Sequence, residues 1–201
     1  MQFTLTEEQL MIQQAARDFA VNECLPGVIE RDEKQKFPYE QIMKLADLGF
    51  MGVMINPEYG GAGMDNISYT IAMEEISKID ASVSVCMSVN NSLVCWGIQQ
   101  FATEEQKQKY LVPLAQGKKD GELYIGAFLL SEPEAGSDAT SQRTTAEDKG
   151  DHYILNGTKN WITNGNSASV YLVIAQTDVS KGSRGISVKN IKKKWPGVAV
   201  G

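Results

Sequence analysis

The hydrophobic period switches once along this chain, from about 3.6 residues before residue 120 to about 2 after it, which restricts the fold to a helical unit followed by a β unit. We therefore expect an α+β protein with an all-α helical domain over 1–120 and a middle β-domain over 121–201, incomplete at its end. Thr6-Glu7-Glu8-Gln9 is a capping-box pattern that opens a first helix. Ile12, Ala15, Ala16 and Phe19 fall on one face of it, and Pro26-Gly27 ends it. A second helix runs from Pro38 to Gly49 on the face Ile42, Leu45 and Leu48, with Gly49 suited to a left-handed cap. Tyr69, Ala72, Met73, Ile76 and Ile79 mark a third. Val83–Ile98 is apolar on nearly every face and should be central and buried, its Asn90 and Asn91 amides satisfying neighbouring backbone groups. Thr103-Glu104-Glu105-Gln106 opens a last helix, kinked at Pro113 and ended by Gly117.

Strand-like runs follow at Leu123–Ser131, His152–Asn156, Lys159–Thr163 and Val170–Gln176. Asp148-Lys149-Gly150-Asp151 reads as a hairpin turn between 144–146 and 152–155. No βαβ alternation is visible. A dinucleotide fingerprint needs that setting, so Gly60-Gly61-Ala62-Gly63 reads as a loop and not as a phosphate cradle.

With 42% hydrophobic and 22% charged residues over 201 positions, the composition is that of a globular chain with a packed core. The apolar runs look shorter than the roughly 20 residues of a membrane span, and no secretory pattern opens the chain, so the expectation is a cytoplasmic protein without membrane partners. Cys24, Cys86 and Cys95 are odd in number and lack metal spacing, so they read as reduced thiols. Residues 1–180 carry 13 basic and 25 acidic side chains, a net charge of −12, a poor surface for nucleic acid. The basic residues concentrated after it, Lys189, Lys192, Lys193 and Lys194 among them, read as a solvated run. His152 is the only histidine and lies in a hairpin strand, which argues against both a nucleophilic triad and a zinc set.

Two polar segments are candidates for ligand contact. Ser131-Glu132-Pro133-Glu134-Ala135-Gly136-Ser137-Asp138 follows an apolar strand and could present hydroxyls and backbone N–H groups to an anionic or heteroaromatic ligand, yet its composition is also that of any turn. In Asn156-Gly157-Thr158-Lys159-Asn160-Trp161-Ile162-Thr163-Asn164-Gly165, strand alternation would put Trp161 and Thr163 on one side. An ordinary half-buried strand explains that segment equally well.

Taken in order and spacing, the helical first unit, Pro57-Glu58-Tyr59-Gly60-Gly61-Ala62-Gly63, the Ser131–Asp138 loop and Asn156–Asn164 resemble the N-terminal and middle domains of an acyl-CoA dehydrogenase. That resemblance implies a β-barrel-like or β-sandwich middle domain and FAD as cofactor. It implies flavin contacts at Phe128, Leu130, Ser131, Gly136, Ser137, Trp161, Ile162 and Thr163, with Thr163 reaching flavin N5 and Ser137 also touching the CoA part of the substrate. The implied reaction is α,β-dehydrogenation of a short- or medium-chain acyl-CoA to the trans-2-enoyl-CoA, with electrons passing to an electron-transfer flavoprotein. The implied base is a glutamate beyond Gly201, so no residue of this chain inherits the catalytic role and the chain alone should be inactive. A homotetramer is the usual assembly in such proteins, and Val83–Trp96 would help to wall the acyl chain. Other classes to separate are a non-catalytic binding module on the same scaffold and a related flavin oxidase or monooxygenase. The chain departs from the pattern at Glu134, which adds a negative charge near the expected phosphates. It departs again at Ser187–Lys194, where Lys189 and Asn190 replace apolar positions and predict a frayed or mispaired last strand.

Overall fold

The computed structural model describes residues 4–201, in two compact units that divide between Ile125 and Gly126. The first unit is helical. Helix α1 (Glu7–Phe19, continued by a π-helical turn over Ala20–Cys24) begins at the Thr6 capping box, where Gln9 N–H donates to Thr6 Oγ1 at 3.2 Å and the Gln9 side chain accepts from Thr6 N–H at 3.1 Å. Ile12, Ala16 and Phe19 are buried as the period requires; Ala15 is exposed, because Gln9 and Ala20 extend the buried stripe on its other side. Short α2 spans Val28–Glu33. In α3 (Tyr39–Asp47) Ile42 and Leu45 are buried with Ala46, whereas Leu48 lies outside the helix and is exposed; Gly49 takes the expected left-handed conformation at φ 78°. In α4 (Asn66–Ser77) the buried face is Ser68, Ile71, Ala72, Glu75 and Ile76, so Tyr69 and Met73 are only half-buried and Ile79 falls beyond the helix.

Helix α5 is continuous over Ala81–Phe101, with a π-helical stretch at Val89–Cys95. At 21 residues it is long and apolar enough to cross a membrane by length and composition, more than the apolar runs suggested, but over half of its apolar window is buried inside the unit as in a core helix. Its burial is one-sided: Val83, Met87, Val94, Cys95 and Ile98 are inside, while Val85, Leu93 and Trp96 are exposed, so apolarity on every face does not mean burial on every face. Asn90 and Asn91 are fully buried and act as expected. Asn90 Nδ2 donates to Met51 O and to Leu114 O, both at 2.9 Å. Asn91 Oδ1 accepts from Val53 N–H at 2.7 Å, and its Nδ2 donates to Phe50 O at 2.9 Å and Met87 O at 3.0 Å. The last helix, α6 (104–116), starts at the predicted capping box of Thr103. Just before Pro113 its ladder widens into a π-helical turn at Lys107–Leu111, where Val112 N–H reaches Lys107 O, and Gly117 ends it at φ 68°.

The glycine-rich loop is internally saturated. Ala62, Gly63 and Met64 N–H donate to Gly52, Ile55 and Val53 O at 2.9, 2.8 and 2.9 Å, and a Cβ on Gly61 would stand 2.2 Å from Ile55 O. Its glycines serve close backbone packing, not a phosphate.

In the run Leu123–Ser131 the chain forms two strands instead of one: β2 (Glu122–Leu123), paired with β1 (Lys118–Lys119), and β3 (Gly126–Leu129). The second unit is a five-stranded mixed sheet. Its axis is β6 (Val170–Gln176), buried along nearly its whole length. β3 runs parallel to β6 from Gly126↔Val170 to Leu129↔Val173. β4 (Thr145–Asp148) meets the end of β6 at Gln176 and forms the predicted hairpin with β5 (Tyr153–Asn156), closed by Gly150 N–H on Asp148 Oδ1 at 2.8 Å. The last strand is not frayed. β7 (Ile186–Lys192) pairs antiparallel with β6 over all seven residues. Main-chain pairing carries the strand past its polar side chains, and Lys189 Nζ is seated 3.3 Å from the centroid of the Tyr153 ring instead of in an apolar core.

Candidate functional site

The two polar segments singled out in the sequence lie side by side in the second unit. β3 ends at Leu129, and the chain turns at once: Glu132 and Ala135 exchange backbone hydrogen bonds, Glu132 N–H to Ala135 O at 3.0 Å and the reverse at 3.2 Å. That tight turn leaves Glu134, Gly136, Ser137 and Asp138 exposed and Phe128, Leu130 and Ser131 half-buried. Glu134 therefore faces solvent. A Cβ on Gly136 would meet nothing within 4 Å, so its backbone borders open space.

The run Lys159–Thr163 is not a strand. Trp161 has φ 59° and Asn164 has φ 65°, left-handed values that no strand accommodates, so the alternation that placed Trp161 and Thr163 on one side does not apply. The loop is nevertheless well held. Asn164 Nδ2 donates to Gly126 O at 3.1 Å, Gly165 N–H to Ile162 O at 3.0 Å and the Tyr171 hydroxyl to Gly165 O at 2.6 Å. Gly157 touches the chain just before β4 so closely that a Cβ would lie 2.2 Å from Thr144 Oγ1. On this fixed loop the Trp161 indole stands 94% exposed, while Ile162 and Thr163 are half-buried. Asn160 N–H donates to Ser131 O at 2.9 Å and joins the two segments directly.

Beneath them is a buried ion pair that sequence reasoning missed. Lys159 Nζ lies 2.7 Å from Glu132 Oε1, with side-chain exposures of 6% and 2%. Lys159 also donates to Leu130 O and Gln142 Oε1, each at 3.0 Å. Glu132 accepts in addition from Arg143 N–H and, at 3.0 Å, from Thr144 N–H. Burial pushes the Glu132 carboxyl up, but the hydrogen bonds from Lys159, Thr144 and Arg143 outweigh it and hold the group at about 2. Burial likewise pulls Lys159 down, opposed by the charge and hydrogen bond of Glu132. The two residues are 27 apart with no shared periodicity, so the only sequence signal was an acid just after a strand and a lysine in a turn.

The acids that the structure ties down in these segments are not placed for proton transfer. Glu132 is a saturated carboxylate, and Asp138 accepts from the hydroxyls of Thr140 and Ser141. His152 is exposed on the hairpin beside Asp151. Among the described residues no three His, Cys, Asp or Glu side chains converge as metal ligands. The three cysteines are buried and unbridged; burial, followed by the Asp80 charge, pushes the Cys24 and Cys86 thiols up to about 12, and burial raises Cys95 as well.

Comparison with known proteins covers both units. Residues 6–118 match the family model of the acyl-CoA dehydrogenase N-terminal domain, and residues 127–201 match that of the acyl-CoA dehydrogenase middle domain. A short-chain specific acyl-CoA dehydrogenase of Clostridium acetobutylicum is 47% identical over 201 residues, all of this chain and 52% of the relative. A solved structure described as the electron transferring flavoprotein of Acidaminococcus fermentans contains a chain with a TM-score of 0.93 at 48% identity, covering 98% of this chain and 50% of that one. A glutaryl-CoA dehydrogenase from Mycobacterium smegmatis, solved in complex with FADH2, superposes with a TM-score of 0.87 at 36% identity, covering 96% and 47%. The chain thus spans about half the length of the relatives it matches.

Proposed function

The chain belongs to the acyl-CoA dehydrogenase family, and on that premise we propose that it serves the FAD-dependent α,β-dehydrogenation of a short-chain acyl-CoA thioester, with electrons leaving to an electron-transfer flavoprotein. The observation that carries this reading is the pairing of Ser131 and Trp161 by the Asn160–Ser131 hydrogen bond. It sets a planar apolar indole, 94% exposed on a rigid loop, beside a polar turn. The residues present fit an isoalloxazine, which has an apolar face and a hydrogen-bonding edge. The half-buried Ser131 and Thr163 side chains offer hydroxyls to such an edge. FAD, when bound, supplies acceptance of the hydride that leaves the β-carbon.

The chain's own residues bind and orient. Trp161 would cover a ring face, Phe128, Leu130 and Ile162 would supply half-buried apolar surface around it, and Ser131 and Thr163 would provide directional hydroxyls. Gly136 leaves the turn open to close approach, and the exposed Ser137 hydroxyl would meet the polar CoA moiety. Glu132 and Asp138 are not suited to act as the base, since the Glu132 carboxylate is held at about 2 with its oxygens taken by Lys159, Arg143 and Thr144, and Asp138 is occupied by hydroxyls.

The test is the visible flavin spectrum of the chain after incubation with FAD and gel filtration, alongside Trp161→Ala. The wild-type chain should retain flavin, and the variant should lose at least tenfold of it without a change in thermal stability, because the side chain is almost wholly exposed. Equal retention by Trp161→Ala would refute this assignment.

A further inference from the structure

We infer that the buried Glu132–Lys159 pair is a positioning device for the flavin-facing surface, an inference that rests on the reading above. Consecutive residues hold consecutive carbonyls: Lys159 Nζ donates to Leu130 O at 3.0 Å and Asn160 N–H to Ser131 O at 2.9 Å. They are the last two residues before Trp161. The peptide bonds here are trans, so fixing the Leu130 carbonyl toward Lys159 aims the Ser131 N–H to the opposite side, away from the ion pair. One ammonium group therefore sets the orientation of the Ser131 peptide while its own backbone starts the segment that presents the indole.

Glu132 anchors the ammonium in turn. Its carboxylate accepts from the Arg143 and Thr144 N–H groups at the entry to β4, and Gln142 Oε1 takes another proton of Lys159, so three separate stretches of chain meet at one charge pair. A pair this deeply buried is a weak device for stability, because desolvation offsets much of the attraction and an apolar pair of similar size often does as well. Its bonds go instead to the backbone of the two segments that carry the candidate contacts. Glu132 and Lys159 are buried beneath the two segments and act through the backbone they hold, which makes them positioning residues.

The test compares the wild-type chain with Lys159→Met and with the charge-free double variant Glu132→Gln/Lys159→Met, by thermal unfolding, amide hydrogen exchange and FAD retention. Lys159→Met strands a buried carboxylate and should lower stability; the double variant relieves it and should melt within a few degrees of wild type. With stability restored, exchange at the Asn160 amide should still be at least tenfold faster than in wild type while β6 amides are unchanged, and FAD retention should still be at least tenfold lower. Recovery of Asn160 protection and FAD retention together with melting temperature in the double variant would reduce the pair to a stabilising contact and overturn the inference. If the wild-type chain retains no FAD, the flavin reading falls by itself, and Asn160 exchange in the double variant alone decides the positioning role, supporting it if accelerated and overturning it if unchanged.

Discussion

Asn91→Ala isolates the polar bolt at the centre of the helical unit. The side chain is fully buried and makes three hydrogen bonds, two of them to a loop some forty residues away: Val53 N–H at 2.7 Å and Phe50 O at 2.9 Å. The third acceptor, Met87 O, belongs to the same helix. Truncation removes the Asn91 partner of these two backbone groups in a region where Val53 is 3% and Phe50 6% exposed, so water cannot readily replace it. Each orphaned buried group costs about 1–3 kcal/mol, which sums to roughly 4 kcal/mol. For a chain of this size that corresponds to a fall in Tm of roughly 8–16 °C. Ser92→Ala is the control, since it removes only a bond from Ser92 Oγ to Ser88 O one turn back on the same helix, and should stay within about 0.5 kcal/mol. Thermal and urea unfolding followed by circular dichroism measure both, with amide exchange at Val53 reporting the local effect. A loss below about 1 kcal/mol for Asn91→Ala, with Val53 still protected, would refute the reasoning.

Acid should weaken the fold through two buried glutamates. Glu75, bound by Arg17 and Lys78, and Glu132 are both held near 2 against an ordinary value of 4.5, so their contribution is complete above about 4.5 and is lost as pH falls toward 2. Glu75→Gln should flatten the fall of Tm with acidity across that window, and an unchanged slope would contradict the assignment. The cysteines should resist alkylation in the native chain at pH 8 and all react in urea, counted by mass, because each is buried with a raised pKa; rapid native labelling at any of them would contradict the burial.

Much of this fold was legible because its signals are local. A capping box needs four residues, so the starts of the helices at Thr6 and Thr103 follow from sequence alone, as do the left-handed Gly49, the helix end at Gly117 and the hairpin turn at 148–151. The switch of period near residue 120 is likewise a sum over short windows, and the two polar segments stood out by composition and by family resemblance. What required the tertiary structure depends on partners far away in sequence. Which side of α5 is covered, and hence that Trp96 and Val85 are exposed, is set by what packs against it. The pairing of β7 depends on β6 and on the Tyr153 ring that receives Lys189. The left-handed turn at Trp161 broke a plausible strand because the flanking residues are tied to Ser131 and Gly126. The ion pair beneath them joins residues 27 apart that carry no common period. Sequence alone determined the local conformations and the class of the chain, and tertiary structure decided which side chains are buried, paired or presented, because those outcomes are energies of contact between segments that no local window contains.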